Sequence, residues 1–92
     1  MNRIRIRRGA GVGEPIRVWP SHGSTAPEEF VWRGRRYRVR ALQAAHGELA
    51  TSGVASRRFH VRTTNGLACV LAHDADGDAW RMDRVISSGG GR

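Results

Sequence analysis

The stretch RRFHVRTTNGLACVLAHDADGDAWRMDRV, residues 57–85, carries two turn signals inside one alternating pattern. Asn65 followed by Gly66 is the strongest short-range signal for a two-residue β-hairpin loop, because a type I′ turn needs positive φ at both central positions. Pairing across that loop sets Val61 opposite Val70 and Phe59 opposite Ala72. Continuing through the loop DADGD, residues 74–78, sets Val70 opposite Met82 and Ala72 opposite Trp80. Two separate turns thus agree in placing Phe59, Val61, Val70, Ala72, Trp80 and Met82 on one face of three strands, and local signals that support one another mark a foldable sequence. Leu67, Cys69 and Leu71 make the middle strand apolar on its other face as well, as expected of a central strand or of one rolled into a barrel.

Toward the N-terminus, FVWRGRRYRVR at 30–40 packs arginines between aromatic and branched residues. Gly34 followed by Arg35 suits a type II′ loop, which requires glycine first. The register then sets Arg33 against Arg36, Trp32 against Tyr37, Val31 against Arg38, Phe30 against Val39 and Glu29 against Arg40. Side chains alternate across a strand, so Phe30, Trp32, Tyr37 and Val39 share a core face. Val31, Arg33, Arg36, Arg38 and Arg40 share the other. Directly opposed like charges destabilise a sheet by up to about 1 kcal/mol, so Arg33 facing Arg36 calls for solvent, nearby acids or a bound anion.

The remaining segments fill in a small fold. EPIRVWP, residues 14–20, puts Ile16 and Val18 on one face of a short edge-type strand bracketed by Pro15 and Pro20. Residues 21–26, with His22 and Gly23, read as a turn. ALQAAHGELAT, residues 41–51, is rich in helix formers and predicts a short helix weakened at Gly47 by about 1 kcal/mol relative to alanine. Residues 1–13 alternate arginine with isoleucine and run into Gly9, Gly11 and Gly13, which suggests a mobile basic arm, and residues 87–92 a loose tail. The expected fold is mainly β, a five- or six-stranded strongly bent antiparallel sheet or a small SH3-like barrel with one short helix, spanning residues 14–86.

Bulk composition narrows the function classes. Ninety-two residues make one domain with one modest core and little room for a deep cofactor cleft. All sixteen basic residues are arginine, and with eight acids they give a net charge of +8. A field of that sign attracts phosphate backbones and acidic protein surfaces, with association that weakens as salt rises. The single cysteine, Cys69, excludes an internal disulfide framework and any multi-cysteine zinc site. Neither a signal peptide nor a membrane span is recognisable, so the expectation is a cytoplasmic protein without membrane partners.

The order of EPIRV at 14–18, a glycine-bearing turn, FVWRGR at 30–35 with Tyr37 and Val39, and a final strand pair with Trp80 and Asp83, Arg84 and Val85 resembles a small uncharacterised domain common in actinobacteria. The resemblance covers roughly residues 14–86. Members of that family occur as free-standing proteins, and related domains lie at the C-terminus of Y-family-polymerase-like proteins of mutagenic DNA repair. The resemblance implies a DNA-damage-tolerance setting and carries over no catalytic residue. Residues 41–51 depart from the family pattern because they lack the tryptophans usual there.

Candidate chemistry concentrates on cationic contact. Arg33, Arg35, Arg36, Arg38 and Arg40 on the hairpin, with Arg3, Arg5, Arg7 and Arg8 on the arm, supply phosphate contacts, and Trp19, out of phase with Ile16 and Val18, is the aromatic on which a base could stack. The same arginines also fit a solvated strand face or an acidic protein partner. The loop at 74–78 hints at a calcium site, but the positions that should carry glycine and glutamate hold Ala79 and Val85. His22, His46, His60 and His73 show no metal-ligand spacing, and Cys69 reads as a small buried hydrophobe. The sequence therefore predicts a non-enzymatic module, without cofactor or metal, that contacts DNA or RNA or a DNA-bound repair complex. The alternative is an adaptor that docks on a polymerase or a repair accessory protein without touching nucleic acid.

Overall fold

The computed structural model describes residues 13–49, 55–74 and 79–87. Six antiparallel strands run in chain order as β1 (Arg17–Pro20), β2 (Pro27–Trp32), β3 (Arg35–Leu49), β4 (Ala55–Thr63), β5 (Ala68–Asp74) and β6 (Ala79–Ser87). Each strand pairs with the next, so every connection is local and the sheet order is the sequence order. The sheet curls strongly into a half-barrel. Its first and last edges meet where the segment before β1 reaches β6: Gly13 N–H donates to the Met82 carbonyl (2.7 Å), Met82 N–H to the Glu14 carbonyl (2.7 Å) and Ile16 N–H to the Trp80 carbonyl (3.1 Å).

The mainly β architecture of six strands matches the expectation, and the short helix does not. Residues 41–49 continue β3, and no helix occurs among the described residues. Helix propensity is a weak prior that tertiary context overrides. Here pairing with β4 from Val39↔Thr63 to Leu49↔Ala55 satisfies the backbone. Shifts in register between Val39 and Ala41 and between Leu42 and Ala44 leave Arg40 and Gln43 as extra residues. Such bulges bend a strand and increase its twist, which lets one long β3 pair with β2 at one end and β4 at the other.

The first hairpin turns one residue earlier than a type II′ loop would. Trp32 pairs with Arg35, Val31 with Arg36, Phe30 with Tyr37 and Glu29 with Arg38, leaving Arg33 and Gly34 as the loop. Both have positive φ, 55° and 75°, the signature of a type I′ turn. The pairings Arg33 with Arg36, Trp32 with Tyr37, Val31 with Arg38, Phe30 with Val39 and Glu29 with Arg40 are therefore all corrected. Each residue's partner moves by two positions, an even shift, so side-chain parity survives: Phe30 and Trp32 are buried, and Tyr37 and Val39 pack against them.

The second hairpin is corrected with a larger consequence. Val61 pairs with Cys69 and Phe59 with Leu71, a slip of one residue on β5. The loop holds three residues, 64–66, closed by Gly66 N–H to the Thr63 carbonyl (3.0 Å), with Gly66 at φ 95°. This is the glycine-bulge loop, the next commonest hairpin after the two-residue one. Thr63 braces it, accepting from Leu67 N–H (3.0 Å) and donating its hydroxyl to Asn65 Oδ1. A one-residue slip exchanges the two faces of a strand. Leu67, Cys69 and Leu71 thus join Phe59, Val61 and Met82 in the main core, while Val70 and Ala72 lie on the opposite face beside His60 and Arg58. Val70 and Ala72 are buried nonetheless, so β5 is apolar and covered on both sides.

The core gathers Ile16, Phe30, Trp32, Phe59, Val61, Leu67, Cys69, Leu71 and Met82 inside the curl, with Tyr37 and Trp80 packed against it. Phe30 stacks on its cross-strand partner Tyr37 at 5.1 Å between centroids, and Phe59 meets Trp80 at 5.4 Å. Such aromatic pairs add about 0.5–1.5 kcal/mol each beyond the area they bury.

Candidate functional site

Three strands build the arginine face. Arg17 pairs with Val31, which pairs with Arg36; Trp19 pairs with Glu29, which pairs with Arg38. Strand alternation puts these six side chains on one side, in two rows of three, opposite the face that buries Phe30. Glu29 sits in the middle and accepts from both Arg36 (2.7 Å) and Arg38 (3.1 Å). The Arg36 guanidinium also reaches the Trp19 ring, 4.7 Å from its centroid, and Arg17 lies 5.5 Å from the same ring. Trp19 remains 37% exposed between them.

This geometry sets the charge of the face. Three arginines against one glutamate leave an excess of two positive charges, since Arg17 makes no ion pair among the described residues. Arg36 and Arg38 are more than half exposed, so their bonds to Glu29 orient the guanidiniums more than they stabilise the fold, surface pairs contributing about 0–1 kcal/mol. A guanidinium fork held in place presents its remaining N–H groups in a geometry that suits phosphate oxygens.

The other predicted site residues fall elsewhere. Arg33 is in the turn, where its Nε (2.9 Å) and Nη2 (2.7 Å) donate to the two carboxylate oxygens of Glu14. Trp32 Nε1 donates to the same carboxylate at 2.9 Å. These contacts hold the Glu14 carboxyl below its ordinary pKa, the Arg33 hydrogen bond being the main cause, and raise that of Arg33 in return. Arg35 turns to the other side of the hairpin, 5.7 Å from the Tyr37 ring. Arg40 is exposed at the first bulge of β3. Arg3, Arg5, Arg7 and Arg8, the tail at 88–92 and loop residues 75–78 lie outside the described residues.

Sequence reasoning missed Arg17 as part of the face, Glu29 as its organiser and Glu14 as the clamp on Arg33. The first two were within reach, because Arg17 has the same parity as Trp19 on β1. Glu14 was not, since its partner lies nineteen residues away. A second basic area covers the outer face over β5, where Arg58, Arg62, Arg81 and Arg84 stand beside His60. Arg58 bonds Asp83 at 3.2 Å and Arg81 bonds Asp74 at 2.6 Å, which offsets part of that charge.

Other chemistry is sparse. Cys69 is fully buried, and burial pushes its thiol pKa up to about 12. His73 stacks on Trp80 at 4.3 Å, and His46 meets His60 at 5.4 Å. Among the described residues no three His, Cys, Asp or Glu side chains cluster to hold a metal ion, and no helix is long and apolar enough to cross a membrane.

Fold and site together define a small arginine-clad antiparallel β module. The chain belongs to the family described as a domain of unknown function, DUF6504, which matches it over residues 8–87. No curated protein and no solved structure matches it.

Proposed function

We propose that this chain is a non-enzymatic nucleic-acid-binding module that contacts DNA, or a DNA-bound repair complex, through Arg17, Trp19, Arg36 and Arg38, with Arg40 beside them. The observation that carries the reading is the exposed Trp19 ring set between two guanidiniums on a face with excess positive charge. Single-stranded nucleic acid is bound by combining backbone cations with an aromatic surface on which a base stacks, and both parts are present here within two rows of three residues. The repair setting and a cytoplasmic location belong to the same proposal, the former supported by the family resemblance.

The test is fluorescence anisotropy of labelled single- and double-stranded oligonucleotides over a salt series. The double variant Arg36→Glu, Arg38→Glu should weaken binding at least about tenfold and flatten the salt dependence, since each lost phosphate contact removes about 0.7–0.9 from the log–log slope. Absence of binding at low salt, or indifference to the charge reversal, overturns the reading in favour of an adaptor without nucleic-acid contact.

A further inference from the structure

We propose that the free edge of β3 at residues 41–47 is a docking site for an extended acidic strand of a partner protein. β2 pairs only with residues 35–38 of β3. Beyond that point β3 pairs with β4 on one side, and among the described residues no strand takes the other. In an antiparallel ladder about every second residue directs its N–H and C=O away from a given neighbour, so this edge presents a row of backbone donors and acceptors to solvent.

Natural sheets guard such an edge with charge, with proline or by covering it. The sequence here is ALQAAHG, uncharged and without proline, and all seven residues are exposed. Their side chains are mostly small, so an incoming backbone meets little obstruction at the spacing of about 4.8 Å that strand pairing requires. The bulge at Gln43 interrupts the edge, yet the register from Ala44 onward is regular.

Charge selects the occupant. Arg40 stands in the bulge at one end, and Arg62, which pairs with Ala41, lies on the outer side of the sheet with His60 and Arg58. Neither makes an ion pair among the described residues, whereas Arg33, Arg36, Arg38, Arg58 and Arg81 all do. Leu42, 45% exposed and paired with Val61, offers an apolar contact on the core-facing side. An amphipathic strand that alternates carboxylates with branched residues answers both features. A second copy of this chain fits poorly, because its own edge at 41–47 carries no carboxylate to meet these arginines. The inference shares only Arg40 with the polyanion reading, which otherwise uses β1, β2 and residues 36–38 of β3.

The probe is a capped heptapeptide alternating aspartate or glutamate with valine, titrated into the full chain and followed by amide NMR and hydrogen exchange. The expected result is saturable binding with Kd below about 1 mM and slowed exchange of amides within 41–47. N-methylation of alternate peptide residues should weaken binding at least about tenfold, as should whichever of Ala44→Pro and Ala45→Pro keeps the native melting temperature, since only one of two adjacent N–H groups faces the free edge. If neither variant folds, the N-methylated peptide still gives the answer. No saturation by about 1 mM, shifts confined to the face of Arg17 and Arg38, equal binding of a peptide with the acids replaced by glutamine, or protection of 41–47 by self-association without peptide would each overturn the proposal.

Discussion

Glu14 grips Arg33 with both carboxylate oxygens while its own carbonyl accepts from Met82 of β6. One residue therefore ties the tip of the first hairpin to the last strand, across the place where the curled sheet meets itself. The contact also accounts for the turn. Arg33 adopts φ 55°, a conformation uncommon for a side chain of its size, and is held there by Glu14 and by its position over the Trp32 ring at 4.9 Å.

This arrangement makes stability depend on acid pH. The folded pKa of Glu14 lies below its ordinary value of 4.5, so its contribution is fully present above 4.5 and is lost as pH falls through the lower folded value. Glu14→Gln should lower the melting temperature at neutral pH, and the gap from the native protein should narrow as pH falls below 4.5 and close once the native carboxylate also protonates. Melting curves across pH check this, and a gap that stays constant down to pH 2 would refute the role of the ion pair.

Trp19 separates base stacking from charge attraction. Trp19→Ala should weaken single-stranded oligonucleotide binding by about 1–3 kcal/mol while leaving duplex binding nearly unchanged. Because the ring is 37% exposed and outside the core, the melting temperature should hardly move. Equal losses for both nucleic acids would show that the ring serves only to position Arg36.

Cys69 should behave as an inert hydrophobe. With its thiol pKa raised to about 12 and its side chain fully buried, a thiol reagent at pH 8 should label the native protein only as fast as it unfolds, and labelling should become rapid in denaturant. Cys69→Ser should cost about 1–3 kcal/mol, because a hydroxyl would enter an apolar site without a designed partner.

Core and edge should respond differently to truncation. Phe59→Ala is expected to cost about 3–5 kcal/mol by denaturant unfolding, since Phe59 is 2% exposed and in contact with Trp80. Leu42→Ala, at 45% exposure, should stay within about 0.5 kcal/mol. Comparable losses at the two sites would place Leu42 inside the core rather than on the open edge.

Gly66→Ala should destabilise by about 1 kcal/mol, because its φ of 95° is open to glycine and strained for alanine. If the variant were as stable as the native protein, the three-residue loop would not be what sets the β4–β5 register.

Alternation and glycine placement are local properties, so their direct consequences are legible in the chain: antiparallel β structure, the parity of Phe30, Trp32, Tyr37 and Val39, the apolar character of β5 on both faces, and arginines on the outside of the first hairpin. Turn type was not local in the same way. Gly34 serves a II′ loop as first residue and a I′ loop as second, and the second is the one in which Arg33 meets Glu14, a partner nineteen residues distant. Gly66 likewise admits a two- or a three-residue loop, and Thr63 braces the longer one, which turns Cys69 and Leu71 into the main core and Val70 and Ala72 away from it. The segment at 41–49 had helix-forming residues, yet only tertiary structure supplied β4 as a partner for its backbone, and backbone pairing outweighs a propensity difference of a few tenths of a kcal/mol per residue. The pairing of Trp19 with Glu29, and hence the grouping of Arg17, Trp19, Arg36 and Arg38, rests on the same kind of contact, made between strands and invisible within any one of them.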